Sequence, residues 1–90
     1  MHFEKEEEII EKIAELFKKD PTQINRCINQ SNDTLLHYAV YHRKYLIAEF
    51  LVKEGIDVAR RNSFGLCGKD LMNFEDLKTD FLAKKIYPML

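Results

Sequence analysis

Apolar residues recur at helical spacing near the start of the chain. Ile9, Ile13 and Phe17 fall at i, i+4 and i+8, with further apolar residues beside them. Glutamates crowd the beginning of this stretch and two lysines close it, as the helix dipole favours. A proline follows at position 21, where it disfavours continued helix. The pattern predicts an amphipathic helix over residues 3–19.

The middle of the chain alternates polar links with short apolar helices. Residues 23–33 are rich in Asn, Gln, Ser and Asp, a composition typical of turns. Thr34 is placed to cap a short helix that runs to about His42, its hydroxyl accepting from a free backbone N–H. Residues 45–54 predict a second helix, and Gly55 supplies the left-handed residue that ends it.

The last third continues the helical pattern. Residues 56–65 are expected to be extended and then to turn, with glycine at the end of the turn. Residues 69–90 predict two more short helices, with Leu77 and Phe81 on one apolar face. No stretch shows a convincing two-residue alternation of apolar and polar positions. The pattern therefore predicts an all-α protein.

The sequence also repeats itself weakly at a spacing of 33 residues. Turn-forming residues coincide when the chain is shifted by this period, and each set precedes a small capping side chain. The coinciding pairs are Asn29 with Asn62, Asn32 with Gly65, and Thr34 with Cys67.

Residues 29–60 resemble one complete ankyrin repeat. The family's opening turn, D-x-x-G-x-T-P-L-H-x-A, corresponds to NQSNDTLLHYA here, and YLIAEFLVKEGIDV is similar to the second half, L-x-I-V-x-x-L-L-x-x-G-A-D-V. The match has no insertion. Nine residues fall on signature positions: Thr34, Leu36, His37, Ala39, Ile47, Leu51, Gly55, Asp57 and Val58.

The resemblance implies a short ankyrin-repeat solenoid of stacked helix-turn-helix units joined by hairpin-like turns. A single domain over residues 1–90 is expected to divide into three parts: an N-terminal capping helix and exit loop at 3–28, a full repeat at 29–61, and a degenerate C-terminal capping repeat at 62–90. In the last part, glycine, lysine and aspartate replace the motif's proline, leucine and histidine, which suits a terminal unit that faces water.

The resemblance also assigns structural roles within the motif. Thr34 and His37 are expected to hydrogen-bond locally, Leu36 and Ala39 to pack between helices, and Gly55 and Gly65 to make turns. A catalytic or metal-binding role for His37 is the weaker interpretation. His42 lies five residues on and does not share its helical face.

The composition of the chain argues against several classes of function. A formal net charge of −1 gives no electrostatic reason to expect nucleic acid or an anionic membrane as partner. The start of the chain is acidic, whereas a secretory signal begins with basic residues that are followed by an apolar run. Two cysteines without metal-ligand spacing suggest reduced thiols in the cytoplasm. We expect no enzymatic activity, no cofactor and no bound metal.

Ankyrin repeats bind proteins through turn tips and the concave face of the inner helices, so the resemblance implies a protein-interaction module. The candidate partner-binding residues share exposed positions on these elements: Gln30, Ser31 and Asp33 at the first tip, Ser63, Phe64 and Leu66 at the second, Tyr41 and His42 on the inner helix, and Phe74 and Glu75 one repeat later. Exposed aromatics are typical interface anchors. Alternatively, Phe64 folds back over its turn and Phe74 packs in the cap.

Two further alternatives concern the partner and the assembly. Arg43 and Lys44 stand where the family has glycine and histidine, and they form either a basic spot for an acidic partner or a solvated loop. The chain could instead be a structural end-cap or fragment of a larger ankyrin protein, such as a bacterial effector secreted into a host cell. Such a piece would position another domain or self-associate as a weak homodimer, favoured by an apolar patch around Ile10 and Phe17.

Overall fold

The computed structural model of the chain describes residues 6–90. Within this range it contains helices and turns and no β-strand, which confirms the predicted all-α class. The α-helices are α1 (Glu6–Lys19), α2 (Leu35–Tyr41), α3 (Tyr45–Lys53), α4 (Phe74–Thr79) and α5 (Phe81–Ile86). Three short 3₁₀ segments accompany them: Pro21–Asn25, Gly68–Leu71 and Tyr87–Met89.

The first helix ends where the sequence predicts. α1 stops at Lys19, while residues 3–5 of the predicted helix lie outside the described part of the chain. The following segment is not wholly a turn, because residues 21–25 form a 3₁₀ helix. Pro21 occupies its first position, and the Asp20 carboxylate accepts from the N–H of Thr22 at 3.1 Å. The proline that ends one helix therefore begins another.

The link between α2 and α3 forms without a glycine. Arg43 adopts a left-handed conformation (φ 62°), its N–H donates to the Val40 carbonyl, and the N–H of Lys44 donates to Ala39 at 2.7 Å. This pair of bonds is the Schellman arrangement that closes a helix C-terminus. Gly55 (φ 92°) makes the same arrangement after α3, as predicted.

Helix α3 lies at the centre of the packing. It contacts α1, α2 and α5, while α2 also contacts the 3₁₀ segment Gly68–Leu71. The core therefore forms around α2 and α3. It is mostly aliphatic: Phe17, Leu36, Ala39, Val40, Tyr45, Ile47, Ala48, Leu51, Ile56, Met72, Ala83 and Ile86.

The C-terminal third contains the two short α-helices that the sequence predicts, α4 and α5, together with two 3₁₀ segments. Its first helical turn is only the 3₁₀ segment, because Asn73 caps a new helix directly afterwards by accepting from the N–H groups of Glu75 and Asp76. A side chain at Gly68 would meet Leu36 at 3.1 Å, so this glycine lets the 3₁₀ segment approach α2 closely.

The prediction that Leu77 and Phe81 share one apolar face is wrong. The Phe81 side chain is 80% exposed, whereas Ala83 and Ile86 are buried. The reason is a break in helical phase: α4 ends at Thr79, and Asp80 starts α5 by accepting from two backbone N–H groups. The helical spacing that puts Leu77 and Phe81 on one face therefore does not apply, because the two residues belong to different helices.

A charged contact joins the α2–α3 link to α4. Arg43 donates to both carboxylate oxygens of Asp76 at 2.7 and 2.6 Å, and the Tyr45 hydroxyl donates to the same carboxylate. The hydrogen bonds from Arg43 and then Tyr45 hold the pKa of Asp76 below its usual value. Burial and the bond to Asp76 raise the pKa of Tyr45 to about 12. The basic spot considered from the sequence thus has its arginine paired within the chain.

Candidate functional site

The first turn is organised by one asparagine. The Asn29 side-chain oxygen accepts from the backbone N–H groups of Ser31 (2.9 Å) and Asp33 (3.2 Å). Asn32 then adopts a left-handed conformation with φ 61°, which asparagine tolerates better than most residues. These bonds fix the turn tip immediately before Thr34.

The second turn repeats this design 33 residues later. The Asn62 side-chain oxygen accepts from the N–H groups of Phe64 (2.9 Å) and Leu66 (3.0 Å), and Gly65 takes the left-handed position with φ 77°. The weak 33-residue repeat found in the sequence therefore corresponds to two equivalent turns. The predicted turn-forming role of Gly65 is met in the same way.

The two turns are bonded to each other. The Ser63 N–H donates to the Ser31 carbonyl at 2.8 Å, and the Asn32 amide donates to the Ser63 hydroxyl at 2.8 Å. The Asn62 amide also donates to the Asp33 carboxylate at 2.9 Å. Backbone and side-chain bonds together hold the two tips side by side.

His37 joins α2 to the second turn. The backbone N–H of Thr34 donates to His37 Nδ1 at 3.0 Å, and the Thr34 hydroxyl lies 3.0 Å from the same nitrogen. The other ring nitrogen lies 2.8 Å from the Leu66 carbonyl oxygen, which can only accept, so the proton sits on Nε2. Both side chains are buried. The local hydrogen bonding predicted for Thr34 and His37 is present, with an added bond to the next turn.

A reduced version of this cap occurs at the second turn. The N–H of Cys67 donates to the Asp70 carboxylate at 3.0 Å, and the thiol lies 3.3 Å from the same oxygen. The backbone hydrogen bond from Cys67 lowers the pKa of Asp70. Asp70 is exposed, and Cys67 is half buried.

A groove of about 400 Å³ lies between the turns and the open face of α2. We call it the concave groove. Tyr38, Tyr41 and His42 share one helical stripe along it, with ring centroids of Tyr38 and His42 4.4 Å apart. The full lining combines residues of both turns, α2 and the 3₁₀ segment: Asn29, Asp33, His37, Tyr38, Tyr41, His42, Asn62, Phe64, Leu66 and Leu71.

The structure brings together half of the predicted partner-binding residues. Those lining the concave groove are Asp33, Tyr41, His42, Phe64 and Leu66. Gln30, Ser31 and Ser63 lie at the turn tips outside its lining, and Phe74 and Glu75 lie exposed at the start of α4.

The exposed fractions of the aromatic side chains show whether Phe64 and Phe74 are accessible or packed. Tyr41 is 66% exposed, Phe64 74% and Phe74 75%, so Phe64 does not fold back over its turn and Phe74 does not pack in the cap. Sequence reasoning missed Tyr38, a half-exposed groove residue. Its position three residues before Tyr41, on the same helical stripe, was the available signal.

A second groove lies against α1 and adjoins the concave groove at Tyr38, which lines both. We call it the end groove. It has a main part of about 480 Å³ and an adjoining part of about 320 Å³, which share Leu35. Ile9, Ile13 and Leu16 form its α1 wall, and Leu16 is 46% exposed. The predicted patch is therefore displaced, because Phe17 is buried in the core instead.

Residues 6–90 contain no cluster of three or more His, Cys, Asp or Glu side chains that could hold a metal ion. Both cysteines are free thiols. None of the helices in the described part of the chain is long and apolar enough to cross a membrane.

Residues 31–63 match the ankyrin repeat family model, so this segment is an ankyrin repeat. The match covers the first turn, α2, α3 and the start of the second turn, and it confirms the family suspected from the sequence. Ankyrin repeats generally mediate protein–protein interaction and form a non-enzymatic family. No curated protein and no solved structure matches the chain significantly.

Proposed function

We propose that this chain is a non-catalytic module that binds a partner protein through its concave groove and the two turn tips. The observation that carries the proposal is the convergence of five predicted residues, from three separate segments, on a single groove. The exposed rings of Tyr41 and Phe64 are suited to act as anchors, because large amphipathic side chains dominate interface energetics.

The framework beneath the groove supports this role. The bonds of Asn29 and Asn62 fix the turn tips, and His37 fixes the second turn relative to α2. A surface that is ordered before binding loses less conformational entropy in the complex. On a chain of this size we expect an interface of about 500–800 Å² per partner, which suits a weak or moderate complex.

The remaining predicted residues extend the surface. Gln30, Ser31 and Ser63 would contact a partner that reaches over the tips, and Phe74 and Glu75 would contact one that extends towards α4. We place the protein in the cytoplasm, where a reducing environment suits two free thiols. We propose neither nucleic acid nor membrane as its partner.

The test is quantitative affinity capture with the full chain as bait. Three baits are compared: wild type, Tyr41→Ala combined with Phe64→Ala, and Phe81→Ala as a control. Phe81 is a matched control because it is equally exposed but lies on α5, outside the groove. A direct partner should be lost from the groove variant and retained by the control. Equal capture by all three baits would contradict the proposed site.

A second candidate function is self-association through the end groove. The specific observation is its largely apolar wall on α1, which includes Lys12 and where Leu16 is nearly half exposed. A second copy that covers this wall would bury apolar surface, which is the main driving force for association. The chain would then serve as a structural end of a larger ankyrin assembly.

Light scattering over a concentration series separates the two candidates. A dimer that forms with increasing concentration and is lost in Leu16→Glu would favour self-association. Leu16→Ala, which removes less apolar surface and adds no charge, should weaken the dimer less. A monomer at all concentrations would leave the concave groove as the functional surface.

A further inference from the structure

Asp33 gives the concave groove one formal negative charge. Asp33 is the only carboxylate among its lining residues, and none of them is a lysine or arginine. Its two oxygens accept from the side-chain amides of Asn29 at 3.0 Å and Asn62 at 2.9 Å. These donors are neutral, so they position the carboxylate without cancelling its charge.

The hydrogen bonds also keep Asp33 ionised. Burial raises the pKa of its carboxyl group, but the bonds from Asn29 and Asn62 outweigh that effect and leave the pKa below its usual value. No cation of residues 6–90 lies within ion-pair distance of Asp33.

Nearby arginines are engaged elsewhere. Arg61 donates to the Gly65 carbonyl at 2.7 Å and lies 3.5 Å from the Asp70 carboxylate. Arg43 is bound to Asp76 on both of its oxygens. Neither side chain lines the groove, so neither arginine neutralises the negative charge there.

Three aromatic side chains line the same groove as this carboxylate. Tyr38 and Tyr41 project from α2, and Phe64 projects from the second turn into the lining of the same groove. An aromatic ring presents a negative face that attracts cations, and the attraction grows when water is partly excluded. Ring faces and a carboxylate in one groove are complementary to a positively charged, planar group.

We propose that the concave groove recognises an arginine side chain of the partner protein, with the guanidinium bound to Asp33 and stacked against the rings of Tyr41 and Phe64. Arginine fits better than lysine because its flat, weakly hydrated head stacks on rings and offers a fork of donors. A volume of about 400 Å³ lies near the lower end of the range for small-ligand pockets, about 300–1,000 Å³, so it suits a side chain rather than a whole helix. This inference rests on the proposed function, since it assigns the chemistry of the same groove.

The test uses three small probes and the full chain labelled with ¹⁵N. The probes are N-acetylarginine methylamide, its lysine analogue and its citrulline analogue, which keeps the shape of arginine without the charge. We expect saturable NMR shifts at Asp33, Tyr41 and Phe64 with arginine, and binding at least about threefold weaker with citrulline. Arginine binding should also weaken as NaCl rises from about 50 to about 300 mM.

Matched variants locate the interaction. Tyr41→Leu should weaken arginine binding, whereas Tyr41→Phe, which keeps the ring face, should preserve it. Asp33→Asn removes the charge but also disturbs the bonds from Asn29 and Asn62, so the Tyr41 pair carries the test if that variant unfolds. Phe81→Leu is the control for an exposed aromatic outside the groove.

Two results would overturn the inference. Equal binding of arginine and citrulline would show a groove that recognises shape but not charge. Arginine shifts that arise elsewhere, or that survive in Tyr41→Leu unchanged, would remove the assigned site. Either outcome leaves the capture experiment with the Tyr41 and Phe64 variants as a separate test of the proposed function.

Discussion

The two turns of this chain start alike and end differently. Asn29 and Asn62 organise equivalent loops, and each loop is followed by a residue whose N–H is capped from three positions ahead. After the first turn comes a two-turn α-helix; after the second comes a single 3₁₀ turn. Turn chemistry alone therefore does not determine whether a full repeat follows.

The difference lies in what the next residues can bury. The first helix places Leu36, Ala39 and Val40 in the core. One period later the leucine position is Lys69, which is exposed, and the histidine position is the exposed Asp70. With an exposed lysine and aspartate in place of the buried leucine and histidine, the second segment has less burial to offset the entropy of a longer helix, since tertiary packing supplies most helical stability.

The largest expected difference in the free energy of unfolding is between variants of Leu36 and of its counterpart one period later, Lys69. Leu36→Ala should lower the free energy of unfolding by about 2–5 kcal/mol, because it leaves a cavity in a fully buried site. Lys69→Ala should change it by about 0.5 kcal/mol or less. Urea unfolding followed by circular dichroism measures both. If Leu36→Ala is too unstable to fold, Leu36→Met should cost less than about 1.5 kcal/mol; equal effects at the two positions would contradict this account.

The two caps should also differ in strength. His37→Ala removes the acceptor for the Thr34 N–H and the donor to the Leu66 carbonyl, and should cost about 2–3 kcal/mol because these groups lose their partners. Asp70→Ala should cost clearly less, since water can replace an exposed carboxylate. Urea unfolding gives the energies, and hydrogen exchange at Thr34 reports the local opening. Equal losses would mean that the bond to Leu66 adds no stability.

The left-handed positions of the two turns offer a smaller contrast. Gly65→Ala should cost about 1–2 kcal/mol, because φ 77° is unfavourable for alanine although no atom obstructs its methyl group. Asn32→Gly relieves the same strain at the first turn but loses the bond to the Ser63 hydroxyl, so we expect a net change within about 0.5 kcal/mol. A thermal unfolding series compares them. A stabilised Gly65→Ala would show that this turn is not held as described.

The smallest expected effect concerns charge at equivalent positions. Arg43 and Asp76 are one period apart and bind each other across the two units. Because the pKa of Asp76 is lowered from its ordinary 3.8, its contribution is present above that value and lost as pH falls through the folded-state pKa. The melting temperature of wild type should therefore fall more steeply below about pH 4 than that of Asp76→Asn.

Tyr45 should determine how the melting temperature changes at alkaline pH in the same experiment. Its pKa is raised from 10.0 to about 12 in the folded protein, so its contribution is complete below pH 10 and is lost as pH rises through about 12. Tyr45→Phe should be less stable at neutral pH and lack this alkaline loss. Identical pH profiles for wild type and the two variants would place the titrating groups elsewhere.

Local signals in the sequence predicted the repeat well. The spacing of Ile9, Ile13 and Phe17, the cap at Thr34 and the glycine at position 55 each depend on neighbours within one or two helical turns. Such features are encoded locally, so a single sequence reveals them. The same holds for His37, whose partner Thr34 is three residues away.

Features that depend on the phase between elements were harder to predict. The exposure of Phe81 follows from a new cap at Asp80, and a continuous helical count cannot show it. The concave groove needs Tyr38 and Phe64 to meet across a turn, which periodicity within one helix does not reveal. The pairing of Arg43 with Asp76 could have been predicted from the sequence, because their separation equals the repeat period of 33 residues.

The bond from His37 to the Leu66 carbonyl reaches forward by about one period, and so do the bonds between the two turns. Each unit therefore meets the next one in part through a backbone oxygen and a turn tip. An extra 33-residue segment spliced in between Arg61 and Asn62 would present the same oxygen and the same tip to the segment before it. The architecture thus permits lengthening by whole modules, and any added module would widen the recognition surface without redesign of the existing one.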